Sequence, residues 1–310
     1  MSEPQNTAET GPREVYWHLP GFCVHFYLFQ VLLRLMKTHP GCFEEGYRIG
    51  SVYGTFPGAI WNGGRAVFGI SAKGDMKKIL DTYAALGVPV RFTWTNPLIE
   101  EKHLTDTYCN LIMSLADNGT NQVLVNAPVL EDYIRTNYPR FPLISSTTKR
   151  ITDLAGLQAE LQKGYYLVVL DYDKNHDEAM LAALEPEASR VEILVDEICF
   201  PHCPMRTAHY RDEGLKQITF DKGSPYPCPN RIGSTVKPSF AECKKRPAFL
   251  SKEELPSYIA RGFVNFKLVG RGLPQELVKE SLLYYLVKDE HRQQISELMD
   301  RELAKLPGKR

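Results

Sequence analysis

Five short runs of β-branched and aromatic residues alternate with helical stretches up to residue 197, and this alternation constrains the fold more than any other feature. The runs are "PVRFTWT" (89–95), "NQVLVNA" (121–127), "FPLISST" (141–147), "YYLVVLDY" (165–172) and "RVEILVDE" (190–197). Beside them lie "DMKKILDTYAALG", "EKHLTDTYCNLIMSLADNG", "VLEDYIRTNY", "ITDLAGLQAELQKG" and "HDEAMLAALEP". Gly87, Gly119 and Gly164 stand where helices stop, the position that favours a left-handed residue. Strands and helices in turn, joined by short connections, make βαβ units and a parallel sheet. The number of units favours an α/β, TIM-barrel-like parallel barrel over an open sheet, and the 310 residues exceed the roughly 250 that such a barrel needs. After Cys199 the rhythm is lost through a stretch rich in Pro, Gly, Cys and Arg. It returns with "SKEELPSYIARG", the strand "FVNFKLVG" and a C-terminal helix from Pro274. The expected organisation is a disordered leader (1–12) and a single barrel domain (13–310), with an irregular, metal-binding segment at 198–248.

The formal net charge is zero, so no global basic field argues for nucleic acid. A local basic groove is not excluded. The most apolar window, "GFCVHFYLFQVLLRLM", is interrupted by His25, Gln30 and Arg34 and falls short of a membrane span. It reads as an amphipathic helix, Phe22–Met36, suited to core packing or to docking a partner subunit. The polar leader does not place positive charge ahead of an apolar stretch, as a signal peptide would. Seven cysteines, an odd number, argue against a secreted disulfide framework, so a cytoplasmic, reducing compartment is expected.

In parallel barrels chemistry gathers at the C-terminal ends of strands. Here those ends carry Asn96, Asn126, Ser145–Thr148 (with Ser146 and Thr147 the substrate-binding candidates) and Asp196–Glu197. The same residue types also serve as turn and N-cap residues at βα junctions.

Cys199, Cys203, Cys228 and Cys243 all fall in the irregular segment, and a bound metal would order a loop of that length. Four thiolates can hold an iron–sulfur cluster or a structural zinc. Only one close pair is present, spaced C-x3-C, which favours a cluster, while His202 and His209 keep zinc open. Buried, unrelated thiols are the plain alternative. A nucleophilic Cys199 or Cys203 with His202 or His209 as base lacks any surrounding signature. There is no GxSxG, HExxH or P-loop. The Gly-rich "YGTFPGAIWNGGRA" (53–66) lacks GxGxxG spacing and suits a turn or a close backbone approach to a ligand. Cys23 and Cys109 sit on apolar helical faces, and Cys42 follows a Pro-Gly turn.

Three blocks, in order, resemble a known family: "NGTNQVLVNAPVLEDYIRTNYPRFPLISSTTKRIT", "RVEILVDEICFPHCPMRTAHY" and "AFLSKEELPSYIARGFVNFKLVGR". The family is the collagenase-like peptidases of unknown catalytic type, number thirty-two, which includes iron–sulfur proteins of oxygen-independent ubiquinone and RNA hydroxylation. The resemblance implies a barrel and, in the hydroxylation members, a [4Fe–4S] cluster, here with Cys199, Cys203, Cys228 and Cys243 in the matching positions. The late block of the family ends K-[IL]-E-G-R, whereas this chain reads Lys267-Leu268-Val269-Gly270-Arg271, without the acidic residue. Lys267 and Arg271 remain and suit an anionic substrate or co-substrate, Arg by a two-pronged contact. The expectation is an oxygen-independent hydroxylase acting on a small molecule or RNA. The alternatives are a peptidase, or a cluster- or zinc-stabilised partner subunit without catalysis.

Overall fold

A computed structural model of the chain describes residues 13–228 and 239–306. The leader expected to be disordered lies outside the described residues. Eight parallel strands close into a barrel in sequence order: β1 Val15–Pro20, β2 Tyr47–Gly54, β3 Val90–Trp94, β4 Gln122–Val125, β5 Leu143–Ser145, β6 Leu167–Val169, β7 Val191–Leu194 and β8 Asn265–Lys267. Closure is made by β8 pairing with β1, Tyr16 opposite Asn265 and His18 opposite Lys267. Outside it run α1 Phe26–Thr38, α2 Lys73–Ala85, α3 Thr107–Ala116, α4 Pro128–Asn137, α5 Leu154–Gln162 and α6 Glu178–Leu184. The excursion from β7 to β8 carries α7 Arg206–Thr219, α8 Phe240–Cys243 and α9 Leu255–Ala260. Then α10 Gln275–Leu286 and α11 Arg292–Ala304 follow the last strand. The architecture is the expected TIM-barrel-like one.

Local chemistry sets the helix ends. The carboxylates of Asp106, Asp153 and Asp177 accept hydrogen bonds from the N–H groups of Cys109, Gly156 and Met180, satisfying donors that the first turn leaves open. Gly87, Gly119 and Gly164 all have positive φ, as their place after α2, α3 and α5 requires.

The period of two along each strand divides the core into two layers. Trp17, Val52, Phe92, Trp94, Val123 and Ile193 point outward and pack with the helices. Tyr53, Leu124, Ile144, Leu167, Val169 and Leu194 point inward and form a separate apolar cluster within the barrel. The inward positions of β1, β3, β7 and β8 carry instead His18, Arg91, Glu192 and Lys267, each at most 5% exposed. Arg91 Nη1 ion-pairs with Glu192 Oε2, its Nε donates to Gln122 Oε1 at 2.9 Å, and Lys267 Nζ lies 3.1 Å from Glu192 Oε1. His18 Nδ1 is 3.1 Å from Arg91 Nη2, and His18 Nε2 is 3.2 Å from Asn265 Oδ1. Burial, with the Arg91 charge beside it, pushes His18 down to about 3, so the ring is neutral, accepting at Nδ1 and donating at Nε2.

The sequence reading differs from this fold in four places. The strands "VYWHLP" and "YRIGSVYG" were not expected, because His18 and Ser51 face inward and interrupt their apolar pattern. The helix placed at Phe22–Met36 begins at Phe26, after a turn at Gly21 (φ 76°) whose carbonyl accepts from the His25 N–H. Its apolar face, Phe26, Phe29, Leu32 and Leu35, is used inside the core rather than presented for docking. The segment 198–248 is not irregular throughout, since α7 supplies 14 helical residues and α8 a further turn. The single C-terminal helix is two, separated where extended Val287 bridges to Phe43. Among the described residues no helix is long and apolar enough to cross a membrane.

Removing one partner of a buried pair leaves the other charge uncompensated and costs about 3–5 kcal/mol. Arg91→Met is therefore expected to lower the unfolding free energy by about that amount, measured by urea titration with circular dichroism confirming the native helix content. Burial alone would raise the Glu192 pKa, but Arg91 and Lys267 reverse this and hold it below the usual carboxylate range. A carboxylate depressed by folding stabilises above its unfolded value, about 4.3, and that stability is lost as pH falls. Wild-type stability should accordingly fall on acidification below about pH 5, and Glu192→Gln should flatten that slope.

Candidate active site at the barrel mouth

Strand direction places the ends of β2, β3, β5, β7 and β8 on one face, and a cavity of about 110 Å³ opens there. A wider groove of about 720 Å³ lies at the opposite end, where Tyr47, Arg48 and Ile49 begin β2. Catalytic residues of barrels come from strand ends rather than strand beginnings, so the smaller cavity is the candidate site.

Its floor is built on the charged layer below. Lys267 Nζ stands 4.4 Å from the centre of the Tyr53 ring, and the Tyr53 hydroxyl donates to the Leu268 carbonyl at 2.6 Å. Burial lowers the Lys267 pKa to about 8, Glu192 working against that shift and Arg91 with it. One wall is the Gly-rich loop after β2. Arg271 ties that loop down, Nη1 donating to Asn62 Oδ1 (2.9 Å) and Thr93 Oγ1 (2.8 Å), and Nη2 to the Gly63 carbonyl (2.9 Å). Gly63 is pressed against the backbone of Thr95 and Asn96 so closely that a Cβ would overlap it. This holds Arg65 at the cavity, where its guanidinium has no hydrogen-bond or ion-pair partner among the described residues.

The opposite wall and the roof come from α7. Arg206 lies over the Tyr172 ring at 3.7 Å, bonds the Phe200 carbonyl (2.8 Å) and Asp173 Oδ1 (3.1 Å), and stands 3.4 Å from Asp171 Oδ1. Arg150 grips the same two aspartates at 2.5 and 2.8 Å. His209 and Tyr210 also reach the cavity, His209 Nε2 lying 3.4 Å from Glu213 Oε1. Further along, α7 is sewn to the loop. Asn62 Nδ2 and the Val67 N–H donate to Gln217 Oε1, the Ala66 N–H to Glu213, and Asn96 Nδ2 to the Gly214 carbonyl.

Four cationic side chains, Arg65, Arg206, Lys267 and Arg271, line the cavity with one carboxylate, Glu197. Asp171 and Asp173 offset Arg206, and Glu192 lies against Lys267. Arg271 has only neutral acceptors, and Arg65 makes no hydrogen bond among the described residues but lies in the field of Glu197 and Glu213. With four cationic side chains and one carboxylate on its lining, the cavity favours an anion.

Of the substrate-binding candidates, Lys267, Arg271, Ser146 and Thr147 line this cavity. Asn96 is buried beside it, its amide bonding the Ile60 and Gly214 carbonyls, and its role is to seat α7. Asn126 bonds Thr148 and lines a separate crevice between α4 and α5. Arg65, Tyr53, Arg206 and Tyr210 were not among the candidates, and His209 was considered as a zinc ligand or as a base for a cysteine rather than for this cavity. The stretch "CPMRTAHY" was read for its cysteines and histidines, and its helical continuation was the overlooked signal.

Cys199 is in the cavity wall, its N–H donating to Glu197 Oε1 at 2.9 Å. Cys243 is buried on α8, and Cys203 and Cys228 are partly buried. Burial pushes the Cys199 and Cys243 thiols up to about 12, with Glu197 acting in the same direction on both. No three His, Cys, Asp or Glu side chains among the described residues are gathered closely enough to hold a metal ion. The four thiols as arranged do not fit a four-cysteine cluster. The pairing of Cys199 or Cys203 with a histidine base is not formed either, because His209 is turned to Glu213 and His202 is exposed beside Asp173.

No family model matches the chain, and no curated protein does. Among solved structures, that of the U32 peptidase Mk0906 superposes with a TM-score of 0.55 at 16% identity, covering 88% of this chain and 98% of the other. The barrel resembles that of a U32 peptidase. At this identity the likeness establishes the shared fold and no chemistry.

Because a Cβ on Gly214 would overlap Asn96 Oδ1, Gly214→Leu is expected to lift α7 off the barrel mouth. Limited trypsin digestion at Arg206, Arg211 and Lys216 should then run several-fold faster than in the wild type, with thermal unfolding remaining cooperative.

Proposed function

We propose that this chain is a hydrolase of the peptidase type, cleaving an amide bond in the cavity at the barrel mouth. The observation that carries the reading is the single lining carboxylate, Glu197, close enough to the Arg65 guanidinium to stabilise its charge, in a capped cavity that Arg271 also lines. The likeness of the barrel to that of a U32 peptidase supports it. In this reading Glu197 takes a proton from water as the water oxygen adds to the amide carbon. Arg65 stabilises the negative charge that develops on the carbonyl oxygen. The proton held by Glu197 passes to the amide nitrogen as the C–N bond breaks, giving a carboxylic acid and an amine, which then exchange a proton to become carboxylate and ammonium.

With a panel of fluorogenic peptides and protein purified to homogeneity, Glu197→Gln is expected to lower kcat about 10²–10⁴-fold, the range for loss of a general base. Arg65→Ala is expected to lower it about 10²–10³-fold, as for an oxyanion donor. Wild-type rates in both variants would rule the assignment out.

Oxygen-independent hydroxylation is the second reading. It is supported by the place of Cys199 in the cavity wall. A bound cluster needs further thiols to move into range. Iron and sulfide content after anaerobic purification, in wild type and Cys199→Ser, tests it. Stoichiometric iron lost in the variant would favour this reading over hydrolysis.

A further inference from the structure

The charges below the cavity do not balance. Glu192 lies between two cations, with Arg91 on Oε2 and Lys267 on Oε1, and all three side chains are at most 6% exposed. His18, the fourth member, is held neutral by burial and by the Arg91 charge beside it. With an ammonium at Lys267 the group carries one net positive charge in a dry interior; with an amine it carries none. Arg91 does not give up its proton, since guanidinium is effectively always charged in proteins. The proton the interior rejects is therefore that of Lys267, and burial together with Arg91 and Arg271 places its loss near neutral pH, at about 8. Desolvation and a neighbouring cation are the two devices that turn a lysine into a nucleophile.

The same amine lines the cavity, and so do Arg65 and Arg271. A nucleophilic amine within reach of guanidinium groups is complementary to a carbonyl carbon that carries a carboxylate. We propose that Lys267 forms an imine with a 2-oxo acid bound in the barrel-mouth cavity, its carboxylate held by Arg65 and Arg271. The amine lone pair adds to the ketone carbon, and the two amine hydrogens leave with the ketone oxygen as water as the C=N bond forms. No oxidant or reductant is consumed. The proposal shares the cavity with the hydrolytic reading but not its chemistry.

The test is reductive trapping on the full chain, using pyruvate and, separately, 2-oxoglutarate with sodium cyanoborohydride, read by intact mass and peptide mapping. The expected result is one reduced adduct per chain, located at Lys267, absent in Lys267→Arg and reduced several-fold in Arg65→Ala. Lys267→Arg keeps a cation beside Glu192, and circular dichroism confirms that it folds. Trapping should increase as pH rises towards about 8. The charged and titratable groups facing the amine are Glu192, Arg91, Arg271, Tyr53, His18 on the paired strand β1 and, across the cavity, Glu197. Absence of an adduct at Lys267 with both acids, or equal labelling of surface lysines, overturns the proposal. Loss of peptide hydrolysis with trapping intact counts against the hydrolytic reading alone, and hydrolysis without trapping counts against this one alone.

Discussion

A carboxylate without solvent, Glu192 on β7, determines much of what surrounds it. An isolated buried carboxylate is too costly to keep ionised, so the barrel must bring cations to it from across its bore. They come from β3 and β8, and β1 adds a neutral histidine that accepts from one of them. In barrels of this class the interior is commonly filled by branched apolar side chains in layers. Here one layer is apolar, from Tyr53 to Leu194, and the other is an ionic lattice. Such a lattice is weak evidence for stability as such, since a well-packed apolar core often does as well. What it does is couple strands remote in sequence and fix a lysine at the floor of the cavity.

The upper face is organised by a second constraint, close approach. Gly63 against the Thr95 backbone and Gly214 against Asn96 leave no room for side chains, so the loop after β2, the end of β3 and α7 stack without a gap. Backbone and amide hydrogen bonds then fill the seam between them. Arg65 and Arg206 therefore line the cavity from elements that are both held in place. Preorganised charge of this kind acts on a bound ligand without further rearrangement.

The parts of this molecule legible in the sequence are those where one residue class dominates a run. The strands β3 to β7 are dominated by β-branched, aromatic and other apolar residues, which makes them visible as runs, and the candidates Ser146 and Thr147 after β5, with Lys267 and Arg271 at and after β8, all line the cavity. The strands β1 and β2 escaped because their inward residues, His18 and Ser51, are polar for reasons that only the assembled interior supplies. The helix α7 escaped because cysteines and prolines drew attention to its approach, and its own pattern is largely polar with few buried positions. Arg65 carries no local signal beyond glycine neighbours. Its place on the cavity lining, in the field of Glu197 and Glu213, is a property of the folded state. Asn96 and Asn126 show the converse: strand-end amides are as useful for joining backbone as for meeting a ligand.

The pairing of β8 with β1 has a consequence for synthesis of the chain. Seven strands can assemble as an open sheet with a free edge on each side, but the cylinder has no seam to close until Asn265–Lys267 arrives. That same strand delivers Lys267, and Arg271 follows directly behind it. A ribosome that has reached only β7 thus holds a nascent protein with Glu192 unpaired from one of its cations and with unprotected edges, the condition in which sheets are most prone to wrong partners. Reactivity and closure come together, so an unfinished barrel carries no reactive amine into the cell.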